Sequence, residues 1–566
     1  MVPMKHSLYC LKLSICRTYG RCVSRYAATL SPQRNLSRLA SSASKSPSKA
    51  RLSPHSDPSS NERYGQPLYS SHPHLLQPGE LTPGIKAGEY ADRRKRLMDS
   101  LPMGSVIFCA AAELKYMSGN IFYKFRQSSN FWYLTGIEEQ DSAVILQKTP
   151  DAKGYKMYLC VKEKDPYDEL WHGARTGIEE SVVIFGADEG FSITILHKIL
   201  DLVLKDAKHF YADIPSHVTQ ARTLTPTHNG LLSFLNLAES STAEVTIMSV
   251  LEKHKPRSLH KEIMKLRKIK SPAERIVMRK AADVSGTSHA KTMRFASSAE
   301  TEAQLAAHFE YVCALQGAQR PAYVPVVAAG ANALTIHYTN NNCLLKEGEL
   351  VLMDAGCELN GYASDITRTF PVGPSGQFTP PQRELYAAIL EVQKQLIKLC
   401  TEESKESMNS LHNQSVDLLK KALRRVGFDL GIGGKLIDRL YPHYLTHPIG
   451  IDLHEGNSER HQYLMEGQVI TIEPGVYVPA DPIFPKWFHN IGIRIEDQVL
   501  VERTDPIVLS VNAPKEIVDV EATCQGVLDD SPVLPKRIRH NYHPLPTGFA
   551  TRHDQRLSTN NSFTLP

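Results

Sequence analysis

The feature of this 566-residue chain that most restricts its fold is a set of acidic and histidine side chains at the ends of or within apolar, strand-like runs between His337 and Glu496. Leu350-Val351-Leu352-Met353 ends in Asp354, and Asp365 follows eleven residues later in Ser364-Asp365-Ile366-Thr367-Arg368-Thr369. His447 opens the run to His454, Glu473 closes Ile470-Thr471-Ile472, and Glu496 closes the run from Ile491. In that last run Ile491, Ile493 and Ile495 alternate with Gly492, Arg494 and Glu496. A strand therefore puts Arg494 and Glu496 on one face, away from the isoleucines. The apolar neighbours force four carboxylates and an imidazole against a core. Buried carboxylates without a partner or a cation are too costly to keep ionised. The set asks for metal. Two divalent ions balance four carboxylates, whereas one ion leaves a net charge of −2. Oxygen donors with one imidazole and no thiolate favour Mn2+ over Ca2+ or Mg2+, with Co, Fe and Zn as alternatives. Two such ions, roughly 3.5–4 Å apart, generate hydroxide near neutral pH. A centre of this kind hydrolyses amides or phosphoesters.

The length exceeds one typical core, so two folded domains with extensions are expected. The net charge of +5 misleads, because residues 1–52 hold ten Lys or Arg and no Asp or Glu. The remainder carries 55 basic against 60 acidic groups, a balance of −5, which gives no support to a nucleic-acid partner. No apolar run reaches the roughly 18–20 residues of a transmembrane segment. Ten scattered cysteines without a CxxC pair read as reduced thiols.

Residues 1–60, Ser-rich, Arg-spaced and acid-free until Asp57, have the profile of a mitochondrial transit peptide or, more blandly, of a disordered basic leader. Residues 61–88 form an extended linker rich in Pro, Gly and His. From 89 to 256, strand and helix patterns alternate as in an α/β domain. A helix is expected over Tyr90–Leu101, and sheet strands at Ser105–Ala112, Ser142–Gln147, Lys156–Val161 and Val182–Phe185. The aromatic cluster Phe125–Gly136 is either core or the wall of a cleft, and Asp165–Gly173 shares that ambiguity. A second domain runs over 257–526. Ser271-Pro272-Ala273-Glu274 opens a helix there with a capping box, and its apolar face is read as Ile276, Val277, Ala281 and Val284. Residues 527–566 turn to Pro, Asn, Ser and His, a composition for disorder.

The run from His337 to Glu496 resembles the pita-bread metallopeptidases, and within them aminopeptidase P, the Xaa-Pro aminopeptidases. The likeness is carried by Ile336-His337-Tyr338-Thr339, Met353-Asp354-Ala355-Gly356-Cys357, Ser364–Phe370, His447–His454, Glu473-Pro474-Gly475 and Gly492–Asp497. Phe131-Trp132-Tyr133-Leu134-Thr135-Gly136 resembles the amino-terminal domain of the same family. The resemblance covers about residues 65–525. It implies an α/β (α+β) chain: an amino-terminal creatinase-like α/β domain followed by a pita-bread catalytic domain.

The resemblance further implies that Asp354 holds one metal, His447 and Glu473 the other, and that Asp365 and Glu496 bridge. His454 matches the family histidine at the scissile carbonyl, and His337 the one at the scissile amide. His443 lines the proline pocket, and Arg494 supports the second histidine and the bridging Glu. Each of the three histidines, taken singly, is as readily a satisfied core or surface histidine.

Leader and linker look most like the mitochondrial branch of the family, whose intermediate cleaving peptidase trims one residue from imported proteins after presequence removal. The expected substrates are peptide or protein amino termini, including mitochondrial precursors. The expected address is mitochondrial, in the matrix or at the inner membrane, and a homo-oligomer is compatible with it. A prolidase-like dipeptidase shares the metal site and is the alternative enzyme. A non-catalytic pita-bread peptide-binding protein is the alternative of another class, and its signature, a missing ligand, does not occur here.

Overall fold

A computed structural model describes residues 63–213, 250–456 and 459–527. The expected transit peptide and most of the tail lie outside the described residues.

A six-stranded mixed sheet forms the amino-terminal half. Its strands are β1 (Ser105–Ala110), β2 (Ala143–Lys148), β3 (Tyr155–Val161), β4 (Glu189–Ser192), β5 (His209–Asp213) and β6 (Arg257–Ser258), in the order β6-β5-β1-β2-β3-β4. The antiparallel β1–β2–β3 centre is apolar on both faces, so both must be covered. Ile107, Val144 and Leu159 face one side, with α1 (Ala87–Ser100) and α2 (Ser129–Thr135). Phe108, Ile145 and Tyr158 face the other, under Leu196, Ile199, Leu200 and Val203 of a helix at Leu196–Leu204. Three of the four expected strands occur. Val182–Phe185 instead ends a helix, Ile178–Phe185, which runs between Gly177 and a left-handed Gly186. Only Ser181 and Phe185 are buried in it, one helical turn apart. Four consecutive apolar residues are too few to separate the two periods.

Residues 65–88 lie against this half. A short hairpin, Glu80–Thr82 with Ile85–Lys86, buries Leu81 and Ile85, and Gln66 donates to the Gly136 carbonyl at 3.0 Å.

The carboxyl-terminal half begins with α3 (Leu259–Arg267) and α4 (Pro272–Phe295). Ser271 accepts from Glu274 N–H while Glu274 accepts from Ser271 N–H, the capping box the sequence predicts. The buried stripe of α4 includes Val277, Met278, Ala281, Ala282 and Ser285. Ile276, expected on that face, is 57% exposed: a stripe of period 3.6 through 277, 278, 281 and 285 leaves 276 outside. With α5 (Glu302–Leu315), α6 (Pro380–Ile397) and α7 (Met408–Arg425), α4 surrounds small antiparallel sheets. One sheet is β7 (Val326–Ala329), β8 (Leu350–Asp354) and β9 (Thr367–Pro371), in that order. Two further sheets hold β10 (Val469–Ile472) beside β13 (Asp497–Leu500), and β11 (Gly475–Val478) beside β12 (Ile491–Arg494).

Trp132 of α2 packs edge-on against Tyr362 of the carboxyl-terminal half, with ring centroids 5.7 Å apart. Beside it the buried Arg93 donates to Tyr362 Oη at 3.1 Å and pairs with Glu89 and Glu274. The two halves thus share a polar and aromatic seam. No described helix is long and apolar enough to cross a membrane, and the seven described cysteines are free.

Candidate metal centre and active site

The register of the sheets decides where the acids sit. Asp354, the last residue of β8, lies opposite Val326 on one side and Thr367 on the other. Ile472 pairs with Asp497 and Gly475 with Arg494, which leaves Glu473-Pro474 opposite Ile495-Glu496 where the two ladders part. Glu496 N–H donates to Thr367 O at 3.1 Å, joining this break to β9. Asp365 reaches the same place because the hairpin that reverses at Asn360-Gly361 brings its segment back against Gly356, where a Cβ would stand 1.8 Å from the Ser364 carbonyl oxygen. Only glycine permits that approach.

All five residues assigned to metal by resemblance converge. Donor atoms of Asp365, His447 and Glu496 lie within 4.8 Å of one another, and all three residues are buried. His447 Nε2 is 3.2 Å from Asp365 and 3.8 Å from Glu473. Asp354 and Glu473 are part-exposed at the floor of a cavity of about 400 Å³. His337, His443, His454 and Arg494 line the same cavity. Two larger cavities elsewhere lack such a donor set.

Hydrogen bonds around the donors fix their orientation. His447 Nδ1–H donates to Pro448 O at 3.2 Å, which aims Nε2 at Asp365. His443 Nδ1–H donates to Tyr444 O at 3.0 Å, so Nε2 accepts from Tyr477 Oη at 2.9 Å. Arg494 spreads its fork over three partners: Tyr477 Oη at 2.6 Å, Thr367 Oγ1 at 3.1 Å and Asp354 at 2.5 Å. Thr367 in turn donates to Glu496 at 2.6 Å. Ligands held by such outer partners keep one geometry.

The donor set fits divalent cations. Burial, then the neighbouring carboxylates, lifts Glu496 well above the carboxylate range. Burial also raises Asp354 against the pull of Arg494. Glu473 is pushed up to about 8, by burial first and also by Asp365 and Asp354. In Asp365 burial is outweighed by the hydrogen bond and charge of His447, and its pKa falls. Four carboxylates against one guanidinium form a negative surplus that cations relieve. Burial pushes the His443 imidazole down to about 3 and lowers His454 too, so both are neutral near pH 7.

Tyr323 was not legible in the sequence, yet its hydroxyl stands between Asp354 and Asp365, within hydrogen-bond reach of both and 2.6 Å from the latter. Tyr477 and Thr367 were missed likewise. A tyrosine in a loop has no period to mark it. Thr367, two residues after Asp365, was the one with a signal.

Acidic and imidazole donors converging in a peptide-sized cavity define a metal-dependent hydrolase. The family model of metallopeptidase family M24 matches residues 277–503, and that of the aminopeptidase P N-terminal domain matches 90–211. "Intermediate cleaving peptidase 55, mitochondrial" of Arabidopsis thaliana is 38% identical over 469 residues, covering 82% of this chain and 89% of that one. "Xaa-Pro aminopeptidase 3" of Homo sapiens is 36% identical over 482 residues, covering 82% and 91%. The crystal structure of Icp55 from Saccharomyces cerevisiae, lacking 58 amino-terminal residues, superposes with a TM-score of 0.70 at 37% identity, covering 80% of this chain and all of that one. The chain belongs to metallopeptidase family M24, in its aminopeptidase P branch, and is a metalloaminopeptidase.

Proposed function

We propose that this protein is a two-metal mitochondrial aminopeptidase, with Mn2+ as its ions, that removes the amino-terminal residue from peptides and from imported proteins after presequence removal. The observation that carries the reading is the convergence of five donors on a cavity walled by His337, His443 and His454. Asp354 would hold one ion, His447 and Glu473 the other, and Asp365 and Glu496 both. When bound, such a pair activates water for attack on an amide near neutral pH.

The chain's own residues bind and orient the substrate. Neutral His454 offers a hydrogen bond to the scissile carbonyl oxygen as it gains charge. His337, exposed at the mouth of the cavity, faces the amide nitrogen. His443, locked in one tautomer by Tyr444 and Tyr477, forms a rigid wall for the second residue. A bond to proline lacks an N–H and fixes φ, so it suits a preformed wall better than a hydrogen-bonding strand.

The mitochondrial address is supported by the acid-free basic leader and by the name of the plant relative. Trimming of imported proteins is preferred over strict Xaa-Pro activity on the same grounds. The decisive experiment compares mitochondrial protein amino termini with and without this protein. One extra residue at many termini in its absence supports trimming, whereas a change at Xaa-Pro termini alone defeats it in favour of the stricter enzyme. Deleting residues 1–60 is expected to leave an active protein in the cytosol; continued import would remove the leader from the argument.

A further inference from the structure

The loop between His447 and His454 is wrapped around one carboxylate. Glu455 is 5% exposed. Its Oε1 accepts from the Ile451 N–H at 2.9 Å and from Arg267 Nε and Nη2 at 3.1 and 2.6 Å, and its Oε2 accepts from Lys270 Nζ at 2.9 Å. The Glu455 N–H donates to Pro448 O at 2.9 Å, and the Gly450 N–H to Asp452 O at 3.0 Å. A Cβ on Gly450 would stand 2.5 Å from the Glu455 carboxylate, so the loop closes onto it with no room for a side chain. At the two ends of this loop the rings of His447 and His454 stand 4.3 Å apart, inclined by 72°.

The hold continues into the amino-terminal half. Arg267 Nη2 donates to Asp452 at 2.7 Å and Nη1 to Asn130 Oδ1 at 3.0 Å, and Arg126 Nη2 donates to Ile451 O at 2.9 Å. Although burial opposes ionisation of Glu455, Arg267 and Lys270 draw its carboxyl down to about 2. A loop held only for stability has no need of a buried ion triad, because apolar residues of the same volume often serve as well or better. A charged clamp with fixed directions gives one geometry.

We infer that Glu455 is a positioning residue: anchored by Arg267 and Lys270, it sets where His454 meets the reacting carbonyl. This rests on the reading of His454 above. A displacement of about 1 Å at such a group costs on the order of 100-fold in rate.

Glu455→Gln keeps an acceptor for Ile451 but drops the charge that Arg267 and Lys270 hold. On the peptide that the wild type turns over fastest, its kcat is expected to fall about 10- to 100-fold while KM and bound metal stay within about twofold. Because the effect passes through His454, Glu455→Gln combined with His454→Asn should be no slower than His454→Asn alone. Penalties that multiply, or a wild-type kcat in Glu455→Gln, overturn the inference. A wild-type kcat in His454→Asn removes instead the underlying reading of that histidine. If Glu455→Gln does not fold, Arg126→Gln, at the more exposed outer end of the clamp, takes its place: loss of kcat that does not multiply with His454→Asn supports the inference, and loss that multiplies defeats it.

Discussion

The guanidinium of Arg494 donates to the carboxylate of Asp354 at 2.5 Å, setting one permanent positive charge among four acidic groups. Lysine keeps the charge but cannot reach Tyr477, Thr367 and Asp354 together. Arg494→Lys is expected to lower kcat about 100-fold, the scale of a 1 Å misplacement. It should also lower the melting temperature more in the metal-free protein than in the loaded one, because cations replace the missing interactions. Equal melting shifts in both forms would contradict this role.

Glu496 separates function from stability. It is buried beside Asp365, and its ionised form is disfavoured in the metal-free protein. Glu496→Gln should therefore leave the metal-free protein at least as stable as the wild type, while turnover becomes undetectable and bound metal falls below two ions per chain. Titration with Mn2+ followed by mass spectrometry under native conditions reads the metal count, and thermal unfolding reads the stability. Near-normal kcat in this variant would sink the bridging assignment.

Asp354, Glu473 and Glu496 were legible because each ends an apolar run and His447 because it opens one, a pattern that forces such side chains inward, whereas Asp365 lies within a mixed run. Their mutual placement was not legible. It depends on the parting of the β10–β13 and β11–β12 ladders around Glu473 and Glu496, which no local pattern records. Tyr323 lies outside any strand or helix, so its place between Asp354 and Asp365 comes from tertiary structure alone. The helix at Ile178–Phe185 and the exposed Ile276 show the limits of local pattern. A short apolar run does not choose between periods 2 and 3.6, and Ile276 lies just outside a stripe that takes in Val277, Met278 and Ala281.

Glu473 predicts how the metal-free protein responds to pH. Its folded pKa of about 8 lies above the ordinary 4.5, so the folded state holds the proton more tightly than the unfolded chain. The sign follows: this stabilisation is complete below about 4.5 and is lost as pH rises through about 8. Chelated wild type should lose stability over that window relative to chelated Glu473→Gln, by an amount on the order of a few kcal/mol. Adding Mn2+ should abolish the slope, because a bound cation favours the ionised carboxylate. Denaturant unfolding at several pH values measures both, and a flat difference between wild type and variant would refute the shift.

Gly356 brings the two aspartates together, and its replacement tests that geometry without touching a donor. A Cβ there would lie 1.8 Å from the Ser364 carbonyl oxygen and 3.2 Å from the Asp365 nitrogen. Both contacts are with backbone, which has no rotamer to yield. The chain must therefore spread between β8 and the Asp365 segment, where Ala355 N–H donates to Ile366 O at 3.1 Å and Ser364 N–H to Cys357 O at 2.9 Å. Gly356→Ala is expected to cost about 1–3 kcal/mol, the usual range for overpacking a tight core. Spreading also separates Asp354 from Asp365, so bound metal and kcat should fall by more than the folded fraction alone explains. Circular dichroism, metal content and kcat per folded molecule read the three effects separately. A folded variant with wild-type metal content would show that the close approach at Gly356 does not set the spacing of the two aspartates.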